Sequence, residues 1–148
     1  MKPRNWLLIA LGTGLLAALL TSIQSEPKRS PEQLFSEFVM PPVSGTEILG
    51  AWYRPGREWA AIFHLKGPSD SLRTVVNHER LELLKPGSPQ FKMFQEHVYK
   101  RFNHPGMSGI DTIQPVNVYE CWERGSGVSI HMIWNPEKAE AFLLKERH

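Results

Sequence analysis

An uncharged apolar run near the N-terminus constrains this chain more than any other feature. Residues 1–5 carry Lys2 and Arg4, and residues 6–23 then contain no charged side chain. A helix rises about 1.5 Å per residue, so these eighteen residues span about 27 Å, which is close to the hydrocarbon thickness of a bilayer. Trp6 stands where an interfacial aromatic ring is favoured. Residues 1–24 are therefore predicted to be a transmembrane anchor or a signal segment in contact with the lipid bilayer.

The same segment favours a retained anchor over a cleaved signal peptide. The run is longer than the usual apolar region of a signal peptide, and no Ala-x-Ala motif follows it. The basic residues before the run favour a single-pass protein whose N-terminus is inside and whose body is extracytoplasmic. The alternative is a secreted or periplasmic protein released by cleavage.

The distribution of charge argues against nucleic-acid binding. The net charge is +2, but residues 1–30 hold four basic residues and one acidic residue, whereas the rest holds 13 basic and 14 acidic ones. A protein that binds nucleic acid needs a basic face to displace counterions from phosphates. We therefore expect no nucleic-acid partner.

The body begins with strong local signals. Residues 25–30 are predicted to form a polar stalk, and Ser30-Pro31-Glu32-Gln33 then reads as a capping box with proline at the first helical position. Leu34, Phe35, Phe38 and Val39 fall on one face of the helix that follows, which Pro41-Pro42 ends. Residues 47–53 and 59–65 read as a hairpin around Pro55-Gly56.

Two further helices are predicted downstream. Gly67-Pro68-Ser69-Asp70-Ser71 should supply a turn and a cap for a helix that carries Leu72, Val75 and Val76. Within the loop-rich stretch 85–115, residues 90–102 place four apolar side chains at helical spacing, namely Phe91, Phe94, Val98 and Phe102.

The clearest local pattern is a second hairpin. Residues 116–123 and 128–134 flank Arg124-Gly125-Ser126-Gly127, and a two-residue Gly-Ser turn that pairs Arg124 with Gly127 closes them. This register sets Cys121 opposite Ile130 and Tyr119 opposite Met132 on a buried face. It leaves Glu120 and His131 as an exposed cross-strand pair on the other face.

These elements predict an α+β chain. An N-terminal transmembrane helix precedes one small domain, residues 31–148, with an antiparallel sheet and two or three short helices. Residues 136–148 are compatible with either a strand or a helix, because they contain good helix formers and also alternate.

Candidate chemistry is sparse. His64, His78, His97, His104, His131 and His148 form no His-Glu-x-x-His run, and His78 with Glu82 reads equally well as a solvated ion pair. Cys121 and His131 point to opposite faces in the predicted register, so the thiol reads as a small buried side chain. His104, Ser108 and Asp111 lack a nucleophile elbow, and Gly12-Thr13-Gly14 lies in the apolar run. We assign no catalytic, cofactor-binding or metal-binding residue and expect no cofactor.

The order of several features carries a resemblance. A leader precedes Phe35-x-x-Phe38-x-x-Pro41-Pro42; then come a strand ending in Phe63-His64-Leu65, a helix opened by Gly67-Pro68-Ser69-Asp70, and a late Tyr- and Trp-bearing hairpin. Most of the body thus resembles small uncharacterised exported or membrane-anchored bacterial proteins. The resemblance implies a location in the cell envelope and no assigned activity.

We therefore expect a membrane-anchored envelope protein that acts as a non-catalytic binding or assembly module, with an envelope protein as a possible partner. The alternative is an exported ligand-binding or hydrolytic domain whose site is built from the loops at 85–115. Whether the chain is an enzyme stays open, although the absence of a convergent acid, base or nucleophile set disfavours it.

Overall fold

The computed structural model describes residues 29–103, 116–123 and 125–148. The predicted anchor at 1–24 and the predicted stalk up to residue 28 lie outside the described residues. Within the described ranges, no helix combines the length and the hydropathy needed to cross a bilayer.

Six antiparallel strands form one sheet, and short helices cover both of its faces. In chain order the elements are α1 (Pro31–Phe38), β1 (Glu47–Arg54), β2 (Ala60–Lys66), α2 (Ser69–His78), β3 (Glu82–Leu83), α3 (Pro89–Met93), β4 (Asn117–Glu123), β5 (Val128–Asn135) and β6 (Glu140–Arg147). The spatial order of the strands is β1-β2-β6-β5-β4-β3. The predicted α+β class with an antiparallel sheet is confirmed for the body.

Residues 136–148, for which helix and strand were both open, form a turn and then β6 in the middle of the sheet. The side-chain oxygen of Asn135 accepts hydrogen bonds from the backbone N–H groups of Glu137 and Lys138, at 2.8 and 3.0 Å. Ala139 completes the turn with a φ of 53°. β6 then pairs with both β2 and β5. Ladder hydrogen bonds on both sides and burial on both faces outweigh the helix propensity of Ala141–Lys145.

Both predicted hairpins are present. β1 pairs with β2 around the turn at 55–59, with a bulge between Ile48 and Gly50. β4 pairs with β5 in the predicted register, which sets Cys121 opposite Ile130 and Glu120 opposite His131. Arg124 is not among the described residues, so its predicted pairing with Gly127 is not described. Glu120 and His131 lie on the predicted face, but their predicted exposure is wrong, because His131 is 1% exposed and Glu120 is half-buried.

A segment packed on the sheet explains this error. On the first face, α1 and α2 pack on a core that includes Phe35, Phe63, Leu72 and Met132. On the second face, residues of the helical segment 89–102 form another core with alternate strand residues, among them Phe94, Phe102 and Phe142. The sheet is therefore buried on both sides, and the polar residues of β5 face a helical cover instead of solvent.

The three predicted helices are present in the body, and the predicted side-chain cap forms at α1 but not at α2. Ser30 caps α1 through a complete capping box with Gln33. α2 begins where predicted, but Pro68 occupies the capping position and supplies no side-chain bond. The predicted helix at 90–102 exists with changing pitch: α3 continues into a π turn over Phe94–Val98 and a 3-10 turn over Tyr99–Phe102.

Candidate functional site

The strongest candidate site is a cavity on the second face of the sheet, at the end formed by the β1–β2 turn and the last residues of β6. We call this end of the sheet the hairpin end. The cavity has a volume of about 630 Å³. Its walls are formed by Trp52, Arg54, Glu58, Ala60, Ile62, Lys100, Arg101, Asn103, Leu144, Glu146, Arg147 and His148.

Strand register explains why these residues meet. Arg54 pairs with Ala60 across the first hairpin, and Ala60 pairs with Glu146 of β6. Directly opposed residues point to the same face. Ile62 and Leu144 continue the face by one step along the strands. The 3-10 turn brings Lys100 and Arg101 over it.

Cations dominate the walls of the cavity over an apolar floor. Four Lys and Arg residues line it against two Glu residues, and we therefore call it the basic cavity. Arg101 forms an ion pair with Glu146, whose side chain is 9% exposed. Among the described residues, no carboxylate lies in salt-bridge contact with Arg54, Lys100 or Arg147. These three cations are available to an anionic ligand.

The Arg54 side chain is held in place while retaining free donors. Its Nη2 donates a hydrogen bond to the backbone carbonyl of Glu58 at 3.3 Å, across the turn of the first hairpin. A guanidinium group has five N–H donors, so this bond leaves most of them for a ligand. The backbone beside Arg147 is also fixed, because its N–H bonds to the carbonyl of Trp59 at 2.9 Å.

Behind the basic cavity lies a polar group that resembles a hydrolytic site in composition but not in geometry. The hydroxyl of Ser129 lies 2.9 Å from Nε2 of His148, and Oε1 of Glu146 lies 3.7 Å from the same nitrogen. In a Ser-His-acid triad, the hydroxyl and the carboxylate bind opposite nitrogens of the imidazole ring. Ser129 is also fully buried. This arrangement holds the end of β6 against β5 and does not activate a nucleophile.

His131 is the most perturbed titratable group beside the cavity. Burial, with the positive charges of Arg101 and His148 nearby, lowers the pKa of His131 to about 4. Its ring packs at 6.0 Å from the Phe94 ring and 6.1 Å from the Trp122 ring. Its Nδ1 is buried, and no hydrogen-bond partner for it lies among the described residues. His131 is therefore a neutral core side chain at pH 7 and not the exposed ion-pair partner of Glu120.

Cys121 lies in a second cavity, on the first face, where its thiol is protonated. This cavity of about 610 Å³ is lined also by His78, Glu79 and Lys145. Burial and then the carboxylates of Glu123 and Glu79 raise the pKa of the Cys121 thiol. Since the thiolate is the nucleophile, these surroundings disfavour covalent catalysis. Cys121 packs against the first core, as predicted. Its side chain is half-buried, however, and not fully buried as predicted.

The remaining sequence candidates do not converge. Nε2 of His78 lies 3.1 Å from the carbonyl oxygen of Val39, so the side chain bridges α2 to the end of α1 and does not pair with Glu82. His97 lies exposed beside Glu96. His104, Ser108 and Asp111 lie outside the described residues. In the described ranges, no three His, Cys, Asp or Glu side chains are arranged to hold a metal ion.

Sequence reasoning missed the basic cavity. Arg54 and Arg147 stand far apart in the chain, and both line the cavity only because β6 pairs with β2. The nearest usable signal was Arg54-Pro55-Gly56-Arg57, which places cations at a turn. Because residues 136–148 were compatible with either a helix or a strand, the sequence did not indicate that Arg147 lies near that turn.

Comparison with protein families, curated proteins and solved structures found no match to this chain.

Proposed function

We propose that this chain is a membrane-anchored, non-catalytic binding module of the cell envelope, and that its ligand carries an anionic group bound in the basic cavity. The observation that carries the proposal is the local excess of cations. Arg54, Lys100 and Arg147 converge on one cavity without a carboxylate partner among the described residues. Arginine and lysine in such a setting recognise phosphate or carboxylate groups.

The anchor enters the proposal from the amino-acid sequence. The uncharged run at 6–23 has the length of a bilayer span and follows two cations. An anchor keeps the body near the membrane, where a module without catalytic machinery acts by holding a partner. The predicted extracytoplasmic orientation belongs to the same proposal.

The alternative of a ligand-binding domain with a site in the 85–115 loops also gains support. Lys100, Arg101 and Asn103 come from the 85–115 stretch and form one wall of the basic cavity. The alternative of a hydrolytic domain gains no support from the described residues, because the buried Ser129 and the protonated Cys121 are poor nucleophiles. The cavity therefore favours binding over hydrolysis.

Membrane fractionation combined with crosslinking in native membranes tests the proposal. We expect the full chain to stay in the membrane fraction after alkaline extraction. We also expect crosslinked species that the Arg54→Gln/Arg147→Gln variant loses while remaining folded and anchored. Recovery of the intact chain in the soluble fraction would refute the anchor. Identical crosslinks from the wild type and the variant would refute binding through the cavity.

A further inference from the structure

We infer that the basic cavity faces the bilayer and binds the headgroup phosphate of an anionic phospholipid. The inference rests on the proposed membrane anchor and names the ligand of the same site. It depends on where the leader joins the domain, on the charge of the cavity, and on the composition of the surface around it.

The leader joins the domain at the hairpin end. The guanidinium of Arg29, the first described residue, lies 5.8 Å from the centroid of the Tyr53 ring. Tyr53 directly precedes Arg54 in β1, and Arg54 lines the basic cavity. Phe38 of α1 packs against Tyr53 and Trp59 at the same end. The Arg29 guanidinium and the cavity therefore lie at the same end of the sheet, on opposite faces of the β1–β2 hairpin.

A short tether keeps this end of the domain close to the membrane. Ile23 is the last residue of the apolar run, and only five residues separate it from Arg29. Even fully extended, that connection spans only about 20 Å. The hairpin end is therefore the part of the domain that the leader holds nearest to the headgroups.

The chemistry of the cavity suits a phospholipid headgroup. Arg54, Lys100 and Arg147 offer donors and positive charge to phosphate oxygens, and arginine can bind such oxygens in pairs. Ile62 and Leu144 close the bottom of the cavity, and each is 1% exposed. Trp52 lines the cavity and Trp59 lies at the same end on the opposite face; both rings are half-buried and of the type enriched where proteins meet a membrane surface.

Photo-crosslinking of the full chain in lipid nanodiscs tests the inference. A photoreactive benzoylphenylalanine replaces Glu58, an exposed residue that lines the cavity, and the bond from Arg54 to the backbone carbonyl of this residue does not depend on its side chain. The matched control carries the probe at Asp70, an exposed residue beside the far end of β2. Nanodiscs contain phosphatidylcholine alone or an equal mixture with phosphatidylglycerol, and mass spectrometry identifies the adducts.

In the equal mixture, we expect the probe at position 58 to give several-fold more adducts with phosphatidylglycerol than with phosphatidylcholine. The added Arg54→Gln/Arg147→Gln substitutions should remove that preference, and the probe at position 70 should give few lipid adducts. An Arg73→Gln change, on the exposed side of α2, controls for a general loss of charge and should leave the preference intact.

Three results would overturn the inference while leaving the anchor in place. The probes at 58 and 70 could label lipid equally, or the adducts could follow the lipid composition. Millimolar inorganic phosphate could abolish labelling in the mixed nanodiscs, which would show that the cavity takes free phosphate. Failure of the chain to remain in phosphatidylcholine nanodiscs would instead refute the proposed anchoring, so the two failures are distinguishable.

Discussion

Acidification should destabilise this protein through His131. The His131 side chain is buried, with a pKa lowered from 6.5 to about 4. In the unfolded chain, the imidazole is free to take a proton as the pH falls below about 6.5. The folded state does not take that proton until about pH 4, so the unfolded state binds more protons across this window. The free energy of unfolding must therefore fall as the pH is lowered through it.

The size of the effect follows from the two pKa values. A shift of one pKa unit corresponds to about 1.4 kcal/mol, so a pKa lowered from 6.5 to about 4 yields a maximum near 3 kcal/mol. Between pH 7.5 and 4.5, where the folded-state pKa is nearly reached, the expected loss is about 2.5 kcal/mol. That is a large fraction of the stability of a domain of this size.

Urea unfolding followed by tryptophan fluorescence measures this loss at a series of pH values. Carboxylates and His64 also titrate in the window, so the result is read as the wild type minus His131→Gln, which cannot take the proton. Burial lowers the pKa of His64 too, although nearby Glu140 opposes the shift, and this contribution cancels in the difference. Parallel pH profiles for the two proteins, or an NMR titration midpoint near 6.5 for His131, would refute the reasoning.

Three further predictions follow from individual contacts. Ser30→Ala should lower the free energy of unfolding by about 1 kcal/mol in urea titrations, because it removes the capping box of α1; an unchanged midpoint would contradict it. Glu79→Ala should cost about 3 kcal/mol, because it leaves the largely buried Lys145 ammonium, 2.9 Å away, without its partner. The Glu79→Ala/Lys145→Met double variant should recover most of that loss, and equal losses in the two variants would argue against the ion pair. Cys121 should react with iodoacetamide at pH 7.5 more slowly than a free thiol and should speed up in denaturant, because its raised pKa and partial burial limit the thiolate; rapid native labelling would show the opposite.

Local signals in the sequence predicted the elements that depend only on neighbouring residues. The capping box at Ser30 and the Pro-Gly turn at 55–56 act within a few residues, and both formed as expected. The register of the second hairpin was also predictable, because a one-residue slip would move every apolar residue of β5 to the other face. Turn chemistry and strand alternation were sufficient there.

Features that depend on distant partners could not be predicted in the same way. β6 is a strand because two long neighbours pair with it, and neither neighbour can be inferred from residues 136–148 alone. His131 is polar and alternates correctly for an exposed position, yet the segment at 89–102 packs over it. Once β5 is seen to be covered on both faces, the lowered pKa of His131 follows from burial.

The candidate site shows why a sum of charges was a poor guide to binding. Residues 31–148 are nearly neutral in total, and that total excludes a broadly basic surface. The structure sorts the charges by partner: Glu79 pairs with Lys145, and Glu37 pairs with Arg29. A carboxylate that is bound in such an ion pair does not neutralise a cation elsewhere on the surface. Arg54 and Arg147 therefore meet at the basic cavity as a local positive excess inside a neutral body. Because a ligand responds to the field within about a Debye length of its own position, this local excess governs recognition and the total does not.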